Sequence, residues 1–171
     1  MNQKKEDGAE MLPLVDENGI VTGYASREVC HDGCKLLHPV VHLHVFNPEG
    51  DLYLQKRPLW KIVQPGKWDT AVGGHVSFGE HVEKALHREA LEELGIKDFQ
   101  PELLQTYIHE TDLEREYVYA YRCTYEAPLM PSSETDGGAY WTVADIASGL
   151  GKGIFTPNFE EEFRRFFLVS M

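Results

Sequence analysis

The sequence lacks the features that mark several classes of protein. Its three cysteines, Cys30, Cys34 and Cys123, form neither a Cys-X-X-Cys pair nor an even-numbered set, so ordinary thiols in a reducing cell interior are the simpler interpretation. No apolar run approaches the ~18 residues of a membrane-spanning helix. The polar residues 1–10 contain no secretory signal. We therefore expect a cytoplasmic protein with no membrane partner.

Basic residues are few in comparison with acidic ones. Sixteen lysines and arginines stand against 28 aspartates and glutamates, which gives a net charge of −12. A surface of this sign repels phosphate, so we expect no nucleic-acid polymer as a partner, and a metal ion would have to bridge any anionic substrate to the protein. The 171 residues suffice for one domain with a proper core. We interpret residues 1–9 as a flexible tail and residues 10–171 as a single domain, and the sequence leaves a monomer and a homodimer open.

The chain is predicted to alternate hairpins with helices. Two hairpins are indicated by apolar runs on either side of Asp16-Glu17-Asn18-Gly19 and of Asn47-Pro48-Glu49-Gly50. A helix is predicted to end at Leu94 with Gly95 as its cap, whereas residues 25–39 have no clean period and are interpreted as irregular. Further strands are predicted over residues 68–72, 103–109, 116–125 and 139–143, and a closing helix over residues 159–169. This order indicates an α+β fold in which helices cover both faces of a mixed β-sheet.

Acidic residues are concentrated on the helix that follows a glycine turn. Glu89, Glu92 and Glu93 occupy one arc of that helix, roughly 100° wide. Three carboxylates on one face repel unless a cation lies among them, and oxygen ligands without thiols suit Mg²⁺, Ca²⁺ or Mn²⁺. Gly74 would let the backbone approach such an ion closely. Helix spacing alone leaves a solvated acidic face as the alternative.

The spacing of this stretch resembles the complete Nudix box. Gly74 is followed by five residues, Glu80, seven residues and then Arg88-Glu89-Ala90-Leu91-Glu92-Glu93-Leu94-Gly95-Ile96, so the box covers residues 74–96. The resemblance implies the Nudix α/β/α sandwich and metal-dependent hydrolysis of a small-molecule diphosphate linked to another moiety. It implies Mg²⁺ or Mn²⁺ held by Gly74, Glu89, Glu92 and Glu93, with Glu80 and Arg88 in support through bidentate pairing.

Two carboxylates are candidates for the catalytic base. Glu93 is the first choice, and Glu134 on a later polar loop is the competitor, because the Nudix family varies in this respect. Attack of water on a diphosphate requires the water to be oriented and deprotonated. The sequence does not decide between the two residues.

Further motifs resemble the isopentenyl-diphosphate isomerase branch of the Nudix superfamily. They are Val15-Asp16-Glu17-Asn18-Gly19, the pair His31 and His38, Pro65-Gly66-Lys67-Trp68, and Gly73-Gly74-His75. Those isomerases use a metal held by three histidines and two glutamates, together with a cysteine. The resemblance implies a second divalent metal, Zn²⁺ or Mn²⁺, whose candidate ligands here are His31, His38, His75, Glu114 and Glu116.

The departure from the isomerases bears on the reaction. At the position where the isomerases have their cysteine, this chain has Gly73. A glycine has no side chain that could transfer a proton. Diphosphate hydrolysis is therefore the leading hypothesis. An isopentenyl-diphosphate isomerase-like enzyme and a non-catalytic diphosphate-binding module are the alternatives. A separate pair, His42 and His44, shares one strand face, and we interpret both as hydrogen-bonded structural histidines.

Overall fold

A computed structural model of the protein describes residues 8–168. Residues 1–7 of the predicted tail and residues 169–171 lie outside this range. None of the described helices is long and apolar enough to cross a membrane. The strands are β1 Met11–Val15, β2 Val21–Ser26, β3 Leu37–Phe46, β4 Leu52–Lys56, β5 Trp68–Thr70, β6 Val72–His75, β7 Glu102–Glu110, β8 Arg115–Thr124 and β9 Gly138–Trp141. The helices are α1 Arg27–Cys30, α2 Val82–Leu94, α3 Val143–Gly149 and α4 Pro157–Phe163, and α4 continues as a π-helical turn, Arg164–Leu168.

Seven of the strands form one mixed sheet. Its main path runs β5-β4-β3-β8-β7, with β6 paired to β3 and β9 paired to β4. The central pair β3 and β8 is parallel, whereas the other pairs are antiparallel. The hairpin of β1 and β2 forms a separate two-stranded sheet. The prediction of a mixed sheet is confirmed.

Strand β3 is buried on both of its faces because helices lie on either side of it. One face packs against α2 in a core that includes Val41, Leu43, Val45, Ala85, Leu86 and Ala90. The opposite face packs against α3 and α4 in a core that includes Phe46, Leu52, Leu54, Ile146, Phe155, Phe159 and Phe163. Side chains alternate between the faces along a strand, so His38, His42 and His44 share the face that looks toward α4.

Helix α2 ends where the sequence predicts. Gly95 adopts a left-handed conformation, with φ of 70°, which a residue without a Cβ adopts at low cost. Its N–H donates to the carbonyl of Leu91, and the N–H of Ile96 donates to that of Ala90. This pair of bonds satisfies carbonyls at the helix end and terminates α2.

Several boundaries differ from the sequence-based ones. The stretch 25–39 is not irregular throughout, because it contains α1, whose first turn is capped by the hydroxyl of Ser26, and the start of β3 at Leu37. The strand expected over residues 68–72 is split at Ala71 into β5 and β6. The strand expected over residues 139–143 ends at Trp141 and is followed by α3. A one-turn helix and a two-turn helix are too short to establish a hydrophobic period.

Candidate active site

The carboxyl group of Glu89 lies directly against the backbone of β6. Glu89 is only 2% exposed. A Cβ built on Gly74 would stand 2.2 Å from Cδ of Glu89, far inside van der Waals contact, so residue 74 must be glycine for this carboxyl to occupy its position. A buried carboxylate of the box is thus fixed beside the Gly74 peptide unit.

The other two glutamates of the arc lie nearer to solvent. The Glu93 carboxylate accepts a hydrogen bond of 3.1 Å from the N–H of Gly73, so it also reaches β6. The side chain of Glu92 is 42% exposed and lies 3.6 Å from an Arg88 nitrogen. The three residues therefore extend from the strand backbone to the rim of the site.

Arg88 holds the acidic groups of the box together. Its Nε and Nη2 donate to the two oxygens of Glu80, each at 2.9 Å, which is the bidentate geometry that the sequence predicts. Its Nη1 donates to Glu89 at 2.8 Å, and Nη2 also donates to the His75 carbonyl at 3.1 Å. The hydrogen bonds from Arg88 hold the pKa of Glu80 below its usual range.

Glu134 lies on a loop that is attached to the same end of α2 as Glu93. The N–H of Ser132 donates to the Glu93 carbonyl at 2.9 Å, and the N–H of Glu134 donates to the Ser132 hydroxyl at 3.1 Å. Both candidates for the base are therefore associated with the last turns of α2.

The five residues of the candidate second metal site come together in space. Nitrogens of His31, His38 and His75 lie within 4.8 Å of one another, and the same limit holds for ligand atoms of His38, Glu114 and Glu116. His31 follows α1, and His75 ends β6. His38 stands opposite Glu116 in the parallel register of β3 and β8. Elements distant in sequence thus converge at one end of the sheet.

One ring nitrogen of His38 is buried at this cluster and has no hydrogen-bond partner among the described residues. Its Nδ1–H donates to the Leu36 carbonyl at 2.9 Å, which leaves the lone pair on Nε2. The side chain is fully buried, and Nε2 has no hydrogen-bond partner in the part of the chain that the structure describes. Burial lowers the pKa of His38 and so favours the neutral ring. A neutral imidazole fixed by a backbone carbonyl has the usual arrangement of a metal ligand.

The spacing of the remaining groups also suits a cation. His31 Nε2 lies 3.1 Å from His75 Nε2 and 3.2 Å from a Glu114 oxygen. Two donor atoms that bind one ion at ~2.1 Å in a tetrahedral arrangement lie ~3.4 Å apart. Burial, with the charge of Glu114, raises the pKa of Glu116 to about 7, and a bound cation would relieve that repulsion.

A buried polar cluster on the α4 side was only partly foreseen. Glu162 is fully buried and accepts hydrogen bonds from His42 Nδ1 at 2.5 Å, His44 Nε2 at 3.1 Å and the Tyr107 hydroxyl at 2.8 Å. The interpretation of His42 and His44 as hydrogen-bonded residues is confirmed, but their partner was missed. The available signal was the position of Glu162 on the apolar stripe of α4, next to Phe159 and Phe163.

Comparisons with known proteins agree with this geometry. A family model described as a NUDIX domain matches residues 36–162. The chain is 33% identical over 161 residues to an isopentenyl-diphosphate Delta-isomerase of Streptomyces avermitilis, a match that covers 88% of this chain and 80% of the relative. It is 32% identical over 152 residues to an uncharacterized Nudix hydrolase of Streptomyces coelicolor, a match that covers 87% of this chain and 83% of the relative.

A solved structure shows the same fold. The crystal structure of DR0079 from Deinococcus radiodurans is similar with a TM-score of 0.75 and 27% sequence identity, over 92% of this chain and 99% of that one. The matched domain spans most of the chain, and the relatives are named both as hydrolases and as isomerases. The chain therefore belongs to the Nudix superfamily, in its isopentenyl-diphosphate isomerase-like branch, and has the α+β sandwich of that superfamily.

Proposed function

We propose that the protein hydrolyses a small-molecule diphosphate linked to another moiety, in a reaction that depends on Mg²⁺ or Mn²⁺ at the box. The observation that carries this proposal is the packing of the Glu89 carboxyl against Gly74, beside the Glu93 carboxylate that accepts from Gly73. Two carboxylates and a backbone carbonyl at one place form an oxygen-rich ligand set, which suits these ions.

Residues of the box would bind the metal, and one carboxylate would accept a proton from water. Glu89, Glu92, Glu93 and the Gly74 carbonyl would hold the metal. When bound, the cation neutralises charge on the diphosphate oxygens and makes water more acidic. Arg88 orients Glu89 and is itself fixed by Glu80. Either Glu93 or Glu134 takes the proton from the attacking water.

The five-residue cluster is proposed as a second metal site that prefers Zn²⁺ or Mn²⁺. Its support is the fully buried Nε2 of His38, which has no partner among the described residues, and the short distances between His31, His75 and Glu114. Imidazoles mixed with carboxylates suit zinc and manganese better than magnesium. The two sites should therefore differ in metal preference.

Isomerase-like chemistry is the second candidate, because the histidine cluster resembles that of the isomerases and relatives carry that name. Gly73 counts against it, because no titratable group stands at that position. A non-catalytic diphosphate-binding module is the third candidate. Each of the three candidate functions predicts a different outcome when the same diphosphates are tested.

The test is a panel of diphosphates assayed with magnesium and with manganese. ADP-ribose, dinucleotides, deoxynucleoside triphosphates and isopentenyl diphosphate would be incubated with the purified protein. Release of phosphate or of a nucleoside monophosphate supports hydrolysis. Interconversion of isopentenyl and dimethylallyl diphosphate above a metal-only control would instead favour the isomerase, and tight binding without turnover would favour the binding module.

A further inference from the structure

The imidazole of His42 is held in one orientation by a fully buried carboxylate. Glu162 Oε2 accepts the His42 Nδ1–H at 2.5 Å and the Tyr107 hydroxyl at 2.8 Å, while Oε1 accepts from His44 Nε2 at 3.1 Å. With three donors around one carboxylate, Glu162 has little freedom to move. The ring of His42 is therefore fixed by groups that lie on α4, β3 and β7.

The ring edge opposite Nδ1 faces an open space beside Gly73. Among the described residues, and apart from its chain neighbours, a Cβ built on Gly73 would have one atom within 4 Å, which is His42 Cδ2 at 3.7 Å. Cδ2 is bonded to Nε2 in the ring, so Nε2 lies one bond away from this space, which we call the Gly73 slot. The side chain of His42 is 12% exposed, whereas that of His44 is not exposed at all.

The Gly73 slot lies on the face of β6 that carries His42, opposite the face that meets α2, and Gly73 itself connects the two faces. The N–H of Gly73 donates to the Glu93 carboxylate, so the residue that opens the slot is hydrogen-bonded to a residue proposed to bind the metal. A substituent of a diphosphate held at the box would pass from the α2 face to the His42 face if it crossed β6 at Gly73. One position for that substituent is the Gly73 slot, next to His42.

Charge makes His42 a hydrogen-bond donor in this place. Burial by itself would lower the pKa of His42, but the charge and hydrogen bond of Glu162 raise it to about 9, with smaller contributions from Glu116 and Asp69. The ring is therefore protonated at neutral pH. Its Nδ1–H is used by Glu162, and its Nε2–H remains for a group that enters the Gly73 slot.

We propose that His42, oriented by Glu162, is a specificity-determining residue that donates a hydrogen bond to an acceptor oxygen on the group attached to the substrate diphosphate. The inference rests on the proposed function, because that function supplies the diphosphate. A polar substituent such as a nucleoside or a sugar satisfies the imidazolium. A prenyl group offers no acceptor and leaves the Nε2–H desolvated and without a hydrogen bond, which is costly.

The first test compares His42→Phe with His44→Phe. Both variants remove a hydrogen bond to Glu162 and keep an aromatic ring, but only residue 42 borders the Gly73 slot. We expect His42→Phe to lower the ratio of kcat/KM for ADP-ribose to kcat/KM for isopentenyl diphosphate by at least ~10-fold, and His44→Phe to change it by less than ~2-fold. Equal ratios in both variants would overturn the proposal, even if turnover and stability fall.

The second test needs no turnover and separates this inference from the proposed function. In wild-type protein with ¹⁵N-labelled histidine, α,β-methylene-ADP with magnesium should shift the ring resonances of His42, and magnesium alone should not. An absent shift, or an equal shift with isopentenyl diphosphate, would overturn the role of His42. If His42 shifts but the protein hydrolyses no diphosphate, hydrolysis is refuted and the binding role stands. If diphosphates are hydrolysed and the His42 resonances do not shift, hydrolysis stands and the binding role of His42 is refuted.

Discussion

The carboxyl group of Glu89 occupies the space that a side chain on residue 74 would need. The distance from a Cβ on Gly74 to Glu89 Cδ would be 2.2 Å, and Glu89 is held in place by Arg88 at 2.8 Å. Gly73, the preceding residue, has no such constraint, because a Cβ there would only touch His42 at 3.7 Å. Two adjacent glycines of β6 thus have different physical roles.

The first prediction follows from this difference. Gly74→Ala should destabilise the protein by ~1–3 kcal/mol through overpacking, and the displaced Glu89 should lower turnover by ~100-fold. Gly73→Ala, the matched control, should stay within ~0.5 kcal/mol of wild type. Urea unfolding of both variants measures the difference. Equal stabilities would show that Glu89 does not need the space at residue 74.

The second prediction distinguishes the two candidates for the base. Glu93→Gln keeps the shape of the side chain but removes a charge from the metal site, so it should weaken Mn²⁺ binding and lower turnover by at least ~100-fold. Without metal its thermal stability should change little or rise, since a like-charge repulsion is relieved.

Glu134→Gln is the companion variant. If Glu134 is the base, this variant should lose turnover and keep the Mn²⁺ affinity of wild type, as measured by calorimetric titration. If it keeps both, Glu93 is the base. Near wild-type turnover of Glu93→Gln on every substrate would mean that the box is not the active site.

The third prediction concerns the second metal site. Metal-depleted protein reloaded with Zn²⁺ or Mn²⁺ should bind more metal than His38→Ala or His75→Ala, because each variant removes a ligand from the five-residue cluster. His87→Ala is a suitable control, since His87 lies on α2 and its ring packs against Phe99 rather than in the cluster. Elemental analysis gives the stoichiometry. If it is unchanged in the first two variants, these histidines are structural.

The fourth prediction is a pH dependence of stability that comes from His42 and Glu162. Burial opposes the charge of Glu162, but the charge of His42 and hydrogen bonds from His42 and His44 hold its pKa far below the usual range. The pKa of His42 is raised to about 9. A raised pKa of a histidine contributes stability that is complete below ~pH 6.5 and is lost as the pH rises through about 9.

The measurement compares wild type with Glu162→Gln. In wild type this pair should account for a loss of ~2 kcal/mol in the free energy of unfolding between pH 7 and pH 10. Glu162→Gln removes the charge that raises the pKa of His42, so its stability should fall less over the same interval, even if it is lower throughout. Parallel curves for the two proteins would show that His42 is not charged by Glu162 in the native state.

The sequence by itself determined the features whose parts lie close together along the chain. The box lies within residues 74–96 on one turn and one helix, so spacing alone places Glu89, Glu92 and Glu93 on one arc. The turn at Asn18-Gly19 and the left-handed cap at Gly95 were likewise predictable, because each depends on the conformation of one or two residues. The order of such local elements was enough for the fold class.

Tertiary structure decided the features whose partners are distant in sequence. His42 and Glu162 are 120 residues apart, and no local pattern pairs a strand histidine with a glutamate on the last helix. The different constraints on Gly73 and Gly74 depend on which residue faces α2 and which faces the side of the sheet that carries His42. The short helices α1 and α3 are held by packing and by their caps at Ser26 and Thr142 rather than by a hydrophobic period. Because burial and pairing arise only when distant segments pack together, the charge state of His42 could not be read from the sequence.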